Sequence, residues 1–379
     1  MNVVNYITNM KEINAIVDAW KTVDPAATKA AIATVVRVEG SSYRRTGARM
    51  LVLDDGTYLG GISGGCLEGD ALRRAQKAIA LDKSSLITYD TSQNDGHEIG
   101  VGLGCNGIID VLFTPLQTYA NSQHQLAFLE RVRNTREPRV LITITKSDQF
   151  PEALGAMYLY EDENTFLPPF ISDAVKPVLL KDIKKTLEAG SSETVDYEDE
   201  INRIRIFIEI ISPAIHLIIY GSNHDIYAMA KTAKEVGWLV TLVTNTSKAG
   251  KNLFQVADHV LNNKLQEQPI IDAFTAIILM AHDYNTDYNN LQSLIHSRAP
   301  YLGLLGPRKR SEKMFRTLEE EGRPLSAEQM SRIYSPAGLD IGAATPEEIA
   351  ISIIAEIKSS FAGREGMSLR LRQGTIYGN

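Results

Sequence analysis

The chain is 379 residues long, 22% charged and 44% hydrophobic, with a formal net charge of −7. That length allows two or three domains, each with a core of its own. The acidic balance excludes the basic face that nucleic-acid binding needs, and the longest apolar runs are strand-sized rather than membrane-spanning.

The first 20 residues carry acidic side chains and lack the apolar core of a signal peptide. The expected location is therefore the cytoplasm, with the two cysteines, Cys66 and Cys105, as reduced thiols. Ile13, Ile16, Val17 and Trp20 fall on one helical face, and Asn9 with Glu12 three residues on matches a capping pair. Extended runs follow at 31–38, 49–53 and 57–61, the last two joined by Asp54-Asp55-Gly56, a hairpin signal. A glycine cluster, 60–65, leads into Cys66-Leu67-Glu68. Leu67, Ala71, Ala75 and Ala78 then recur at helical spacing, which puts Cys66 at a helix N-terminus. Strands are expected at 86–89, 108–113 and 139–145, a helix near 123–133, and a polar, acidic stretch to about residue 200. Residues 1–212 thus read as an α+β domain.

From residue 213 to 379 the pattern is different. Strand 215–220, helix 225–236 and strand 238–243 come in succession, with Gly237 placed to end the helix. Segments 275–281, 284–296, 301–304 and 308–321 continue the alternation, which predicts a Rossmann-like doubly wound parallel sheet. Thr345-Pro346-Glu347-Glu348 opens a last helix with a capping box and a proline in its first turn. No internal repeat is visible in the sequence.

Four places carry candidate chemistry. At the end of the first Rossmann strand, Gly221-Ser222-Asn223 supplies one glycine of the three a dinucleotide turn wants, and the next strand ends in Thr244 rather than an acid. NAD(P) binding is therefore not expected. Cys66 and Cys105 each lie in a glycine-rich segment, and the positive end of a helix favours thiolate over thiol. Such thiols can hold a soft metal or carry a persulfide, or can simply be small buried side chains. Residues 40–49 place Ser41, Arg44 and Arg49 among hydroxyls and glycines, either as a phosphate cradle or as a solvated loop. His282 follows an apolar strand at the sheet edge where α/β folds bind ligands, though lone histidines are more often structural.

Taken together these segments resemble the XdhC/CoxI family of accessory proteins for xanthine dehydrogenase and related molybdenum hydroxylases. The resemblance is carried by Gly40-Ser41, Arg44, Gly47-Ala48-Arg49-Met50-Leu51, Gly64-Gly65-Cys66-Leu67-Glu68 and Gly102-Leu103-Gly104-Cys105. Later come Tyr220-Gly221 with Asp225, Gly237-Trp238, Ala281-His282, residues 301–308, and residues 338–343 with 345–350. The resemblance implies a chaperone that binds molybdopterin-bound molybdenum and protects it. It further implies support for sulfuration with a cysteine desulfurase and insertion into the apo-hydroxylase. Cys66 and Cys105 would then serve as metal or sulfur ligands. Gly64, Gly65, Glu68, Ser41, Arg44 and Arg49 would line the cofactor, with Gly221, Ser222, Asn223 and His282 at the Rossmann edge. The expectation is a non-enzymatic maturation factor, homodimeric, with two rivals. One is an NAD(P)-dependent oxidoreductase using the Rossmann-like domain; the other is a persulfide-carrying sulfurtransferase.

Overall fold

The computed structural model describes residues 10–24, 26–90, 107–116, 124–163, 171–200, 202–246, 252–263, 268–373 and 376. Asn9 and the 102–106 segment with Cys105 lie outside the described residues. The chain divides into two compact units, one ending at Pro213 and the other beginning at Ala214.

The first unit opens with α1 (Met10–Lys21), β1 (Ala30–Gly40), β2 (Arg49–Leu53), β3 (Tyr58–Gly60), α2 (Glu68–Leu81), β4 (Ser85–Asp90) and β5 (Gly107–Leu116). It continues with α3 (Gln125–Arg133), β6 (Arg139–Ser147), β7 (Met157–Tyr160), α4 (Val175–Ala189), β8 (Glu193–Glu198) and β9 (Arg203–Ile211). The strands form two antiparallel sheets, ordered β3-β2-β1-β5-β4 and β7-β6-β9-β8. On the first sheet, Ala31, Ala33, Val35, Val111 and Phe113 meet α2, whose Ala71, Ala75 and Ala78 allow close approach. On the second, Val140, Ile142, Ile206 and Ile208 meet Leu179 and Ile183 of α4. The opposite faces meet through Val36, Leu112 and Phe207.

Laid side by side, the two sheets share one topology: helix, hairpin, helix, two strands. β3 is an added edge strand on the first, with no counterpart among the described residues of the second. Both carry an irregularity in the strand after the first helix, at Val35/Arg37 and at Ile144/Lys146. Both then turn through a glycine at positive φ, Gly47 at 86° and Gly155 at 88°. Gly47 N–H donates to Val35 O and Gly155 N–H to Ile144 O, each at 2.8 Å. Tyr89 of β4 donates to Asp70 (2.8 Å), and Tyr197 of β8 donates to Asp182 (2.9 Å). Between α1 and α3 the ion pairs are reciprocal, Lys21 with Glu130 and Arg133 with Asp18, as a twofold axis requires.

This corrects the sequence reading, which finds no repeat. Buried apolar positions exchange freely when volume is kept, so little beyond Gly-Ala in the turn and one tyrosine stays alike. The acidic stretch before residue 200 likewise holds β7, α4 and β8, where exposed charged residues mask the buried positions.

In the second unit β10 (His216–Tyr220), α5 (Asp225–Glu235), β11 (Leu239–Thr244), α6 (Leu253–Val256) and β12 (His259–Asn262) are followed by β13 (Thr275–Leu279) and α7 (Tyr284–Leu294). Then come β14 (Tyr301–Leu304), α8 (Arg308–Glu320), α9 (Ala327–Ser331), β15 (Ile333–Tyr334) and α10 (Pro346–Phe361). Its six parallel strands are ordered β12-β11-β10-β13-β14-β15. That is the Rossmann order expected from the sequence, with its switch point between β10 and β13. The central strands are near-continuous apolar runs because both faces are covered, by α5 and α10 on one side and α7 and α8 on the other. Thr345 and Glu348 form the capping box of α10, and Gly237 at φ 82° lies just past the end of α5.

Candidate functional site

The first candidate site is the turn into α2. Leu67 occupies the helix cap without a side-chain acceptor of its own, and the N–H groups of this turn find another oxygen. Leu67 N–H donates to Ser63 Oγ at 3.0 Å and Gly65 N–H at 3.3 Å. The Cys66 thiol donates to the same oxygen at 3.4 Å. Ser63 in turn gives its hydroxyl proton to Glu68 Oε2, and its N–H to Oε1 at 2.8 Å. Burial works against the Glu68 carboxylate, but the bonds from Ser63 outweigh it and hold its carboxyl below the ordinary glutamate range. Cys66 itself is exposed. Gly65 has φ 110° and nothing within 4 Å of where a Cβ would lie, so this turn is open beside the thiol.

The loop from Gly40 to Arg49 is anchored from below. Glu12 of α1 takes the Arg44 guanidinium and, at 2.9 Å, the Arg49 N–H. Glu12 thus ties α1 to this loop, while the capping partner read for it from the sequence, Asn9, lies outside the described residues. Arg49 departs furthest from expectation. Its side chain is 1% exposed and forks onto Glu209, itself 3% exposed, while Nη1 also donates to Gly47 O at 2.8 Å. A cofactor phosphate would have to displace Glu209 to reach it, so Arg49 is a buried strut. Ser41 is exposed, and Ser42 beside it is buried.

At the switch point of the second unit, a Cβ on Gly221 would lie 2.8 Å from Met280 O, so β10 and β13 require glycine here. Ser222 and Asn223 are exposed. His282 holds a left-handed backbone at φ 58° and shares a 2.5 Å hydrogen bond from Nε2 with Asp225 Oδ2. Asp225 is the first residue of α5, where a bound pyrophosphate would rest, and its carboxylate already serves the helix dipole. Thr244, at the end of β11, is 2% exposed with its hydroxyl unpartnered among the described residues. Beneath the turn, Asp287 accepts from Ala281 N–H (3.1 Å) and pairs with Arg310; burial nonetheless pushes its carboxyl up.

The structure therefore brings Gly64, Gly65, Cys66 and Glu68 together, sends Arg49 inside, and sets Gly221 and His282 on neighbouring strand ends. No group of three His, Cys, Asp or Glu gathers as a metal centre among the described residues. Sequence reasoning misses Ser63, which joins Cys66 to Glu68, and Glu12 and Glu209, which hold the arginines. Only Ser63 leaves a local signal, four residues before the helix cap.

Comparison with known proteins places this geometry. Residues 25–90 match the XdhC and CoxI family, and residues 217–357 match the XdhC Rossmann domain. A Bacillus subtilis protein named as a probable xanthine dehydrogenase subunit is 32% identical over 336 residues, 87% of this chain and 92% of that one. The chain belongs to the XdhC and CoxI family. Another relative, the molybdenum cofactor insertion chaperone PaoD of Escherichia coli, is 25% identical over 87% of this chain and 83% of its own. A crystal structure described as a xanthine dehydrogenase from Bacillus halodurans superposes with a TM-score of 0.71 at 27% identity, covering 95% and 97% of the two chains. Within this XdhC/CoxI chain, Cys66 and Arg49 fall in the first matched segment, and Gly221 and His282 in the second.

Proposed function

We propose that this XdhC/CoxI protein binds molybdenum cofactor, supports its sulfuration and inserts it into a xanthine dehydrogenase-type molybdenum hydroxylase. The observation that carries the reading is Cys66, an exposed thiol on an open glycine turn at the start of α2. A soft thiolate suits molybdenum or sulfur, where a hard cation would call for carboxylates. The similarity to PaoD supports the cargo, and the similarity to the Bacillus subtilis protein supports the client.

In this reading Cys66 and Cys105 are the sulfur ligands, and Gly64, Gly65 and Ser41 line the cofactor. Glu68 acts through Ser63 by fixing the turn. Arg44, 27% exposed while tied to Glu12, is the arginine placed to meet a phosphate. A cysteine desulfurase supplies the sulfur, and the protein works as a cytoplasmic homodimer. Asp225 speaks against a dinucleotide at the switch point, because its carboxylate would repel a pyrophosphate at the start of α5.

Molybdenum and pterin analysis of protein purified anaerobically from its own host tests the proposal. Wild type should carry both, and Cys66→Ser should lose most of the molybdenum, since a hydroxyl is a poor soft ligand and holds no persulfide. Unchanged contents in both Cys66→Ser and Cys105→Ser would remove the thiols from the reading. Tight NAD or NADP binding by calorimetry would instead favour an oxidoreductase.

A further inference from the structure

We infer that Tyr43 is a stacking platform for the planar heterocycle of the cofactor beside Cys66, an inference that rests on the cofactor-binding reading above. Tyr43 is 69% exposed, an unusual position for a large aromatic side chain. It is not loosely placed. Ser42 before it is buried, and Arg44 after it is tied to Glu12, so the loop is pegged on both sides and turns Tyr43 outward.

The ring rests on Gly64. A Cβ built there would stand 3.2, 3.3 and 3.6 Å from Tyr43 Cγ, Cδ1 and Cδ2. Three nearly equal distances place Gly64 against the ring face, because an approach along the ring edge would leave one Cδ much farther away. Any side chain at position 64 would therefore push the ring from below. One face is thus supported by glycine backbone while the residue remains largely exposed. Two residues along from Gly64 stands the Cys66 thiol, and Gly65 between them fills no space. A supported ring with an open face is what a flat conjugated system stacks on, and such stacking tolerates variation in the edge groups of the ligand. The arrangement divides the work: Cys66 meets the soft atom, and Tyr43 holds the flat ring.

The test uses the full chain and 6-hydroxymethylpterin as the probe, followed by quenching of pterin fluorescence. Tyr43→Phe keeps the ring and should bind as wild type does. Tyr43→Leu should weaken binding about tenfold or more, in line with the loss of one stacked ring. An exposed position makes folding of the variants unproblematic, and unchanged melting temperatures check it. Equal pterin affinity and equal pterin content of isolated protein in wild type and Tyr43→Leu would overturn the platform and leave cofactor binding standing. Wild type isolated with neither molybdenum nor pterin would overturn both.

Discussion

The two copies within the first unit solve one problem in two ways. Each must hold a glycine turn, Gly47 or Gly155, against the opposite sheet. In the second copy Gln125 Nε2 donates to Thr114 Oγ1 and to Gly155 O, both at 3.1 Å. In the first copy Arg49 Nη1 bridges Gly47 O and Glu209 Oε1, both at 2.8 Å. Glu209 and Thr114 occupy corresponding places on β9 and β5, as the matched registers of the two sheets show. Neutral side chains therefore suffice for the topology. A buried ion pair is a costly substitute, since both charges leave water and are repaid only by good geometry. The copy that carries it is the one whose loop bears Tyr43 and Arg44 and whose helix begins after Cys66. In the other copy Ser172, Asp173 and Ala174 precede α4. The difference teaches that the Arg49–Glu209 strut belongs to the rigidity of the candidate site rather than to the fold as such.

Breaking that strut should have the largest effect. Glu209→Thr leaves the Arg49 guanidinium buried and unpaired, at about 3–5 kcal/mol of stability. Thr114→Ala, the parallel cut at the Gly155 turn, removes a neutral acceptor and should cost about 1–3 kcal/mol. The double variant Arg49→Met with Glu209→Thr copies Met157 and Thr114, the residues at the corresponding places around the Gly155 turn, and should recover much of the single-variant loss. Urea unfolding of the four proteins decides it. Equal costs for Glu209→Thr and Thr114→Ala would mean the ion pair does nothing that an amide and a hydroxyl do not.

How much of this is legible in the sequence follows from the range of the interactions. The Rossmann unit is readable because its signals are local: apolar strands, Gly237 after a helix, and the Thr345–Glu348 box. The α2 turn is readable for the same reason, as glycines followed by a helical pattern. Arg49 and Glu209 are 160 residues apart, and nothing in either neighbourhood marks them as partners. Arg49 reads as a surface cation because Lys and Arg are rarely buried, which is the general rule and fails where a carboxylate waits inside. The repeat is hidden because what the copies share is register and backbone geometry, which many apolar sequences satisfy.

A second comparison is set by the paired tyrosines on β4 and β8. Burial works against the Asp70 carboxylate, but Tyr89, Arg74 and Arg73 outweigh it and hold its carboxyl below the ordinary aspartate range. A carboxyl that binds its proton less readily folded than unfolded adds stability above the unfolded pKa of about 3.9. That contribution fades as pH falls through this range toward the lower folded value. Asp70→Asn should therefore cost about 1.5–3 kcal/mol at pH 7, as for a hydrogen bond to a charged group, and should flatten the acid limb of the stability curve. Thermal melts from pH 3 to 7 give the comparison. An acid limb as steep in the variant as in wild type would assign the loss to other carboxylates.

The smallest effect tests the twofold relation itself. Lys21–Glu130 and Arg133–Asp18 are the same pair seen twice, once from each helix. Both lie at the surface, where side-chain ordering and solvent offset most of the attraction, so each should couple by about 0.2–1 kcal/mol. The two are not equally placed. Arg133 is 14% exposed on its side chain and Lys21 is 44% exposed, so less of the Arg133 charge is screened. Double-mutant cycles to alanine should then give a larger coupling for Arg133–Asp18, and added salt should shrink the Lys21–Glu130 coupling first. If neither pair couples, the contact between α1 and α3 rests on the buried Ile16, Val17, Phe128 and Leu129. In that case the matching charges would set only which helix faces fit together, and exchanging them, Lys21→Glu with Glu130→Lys, should leave stability where it was.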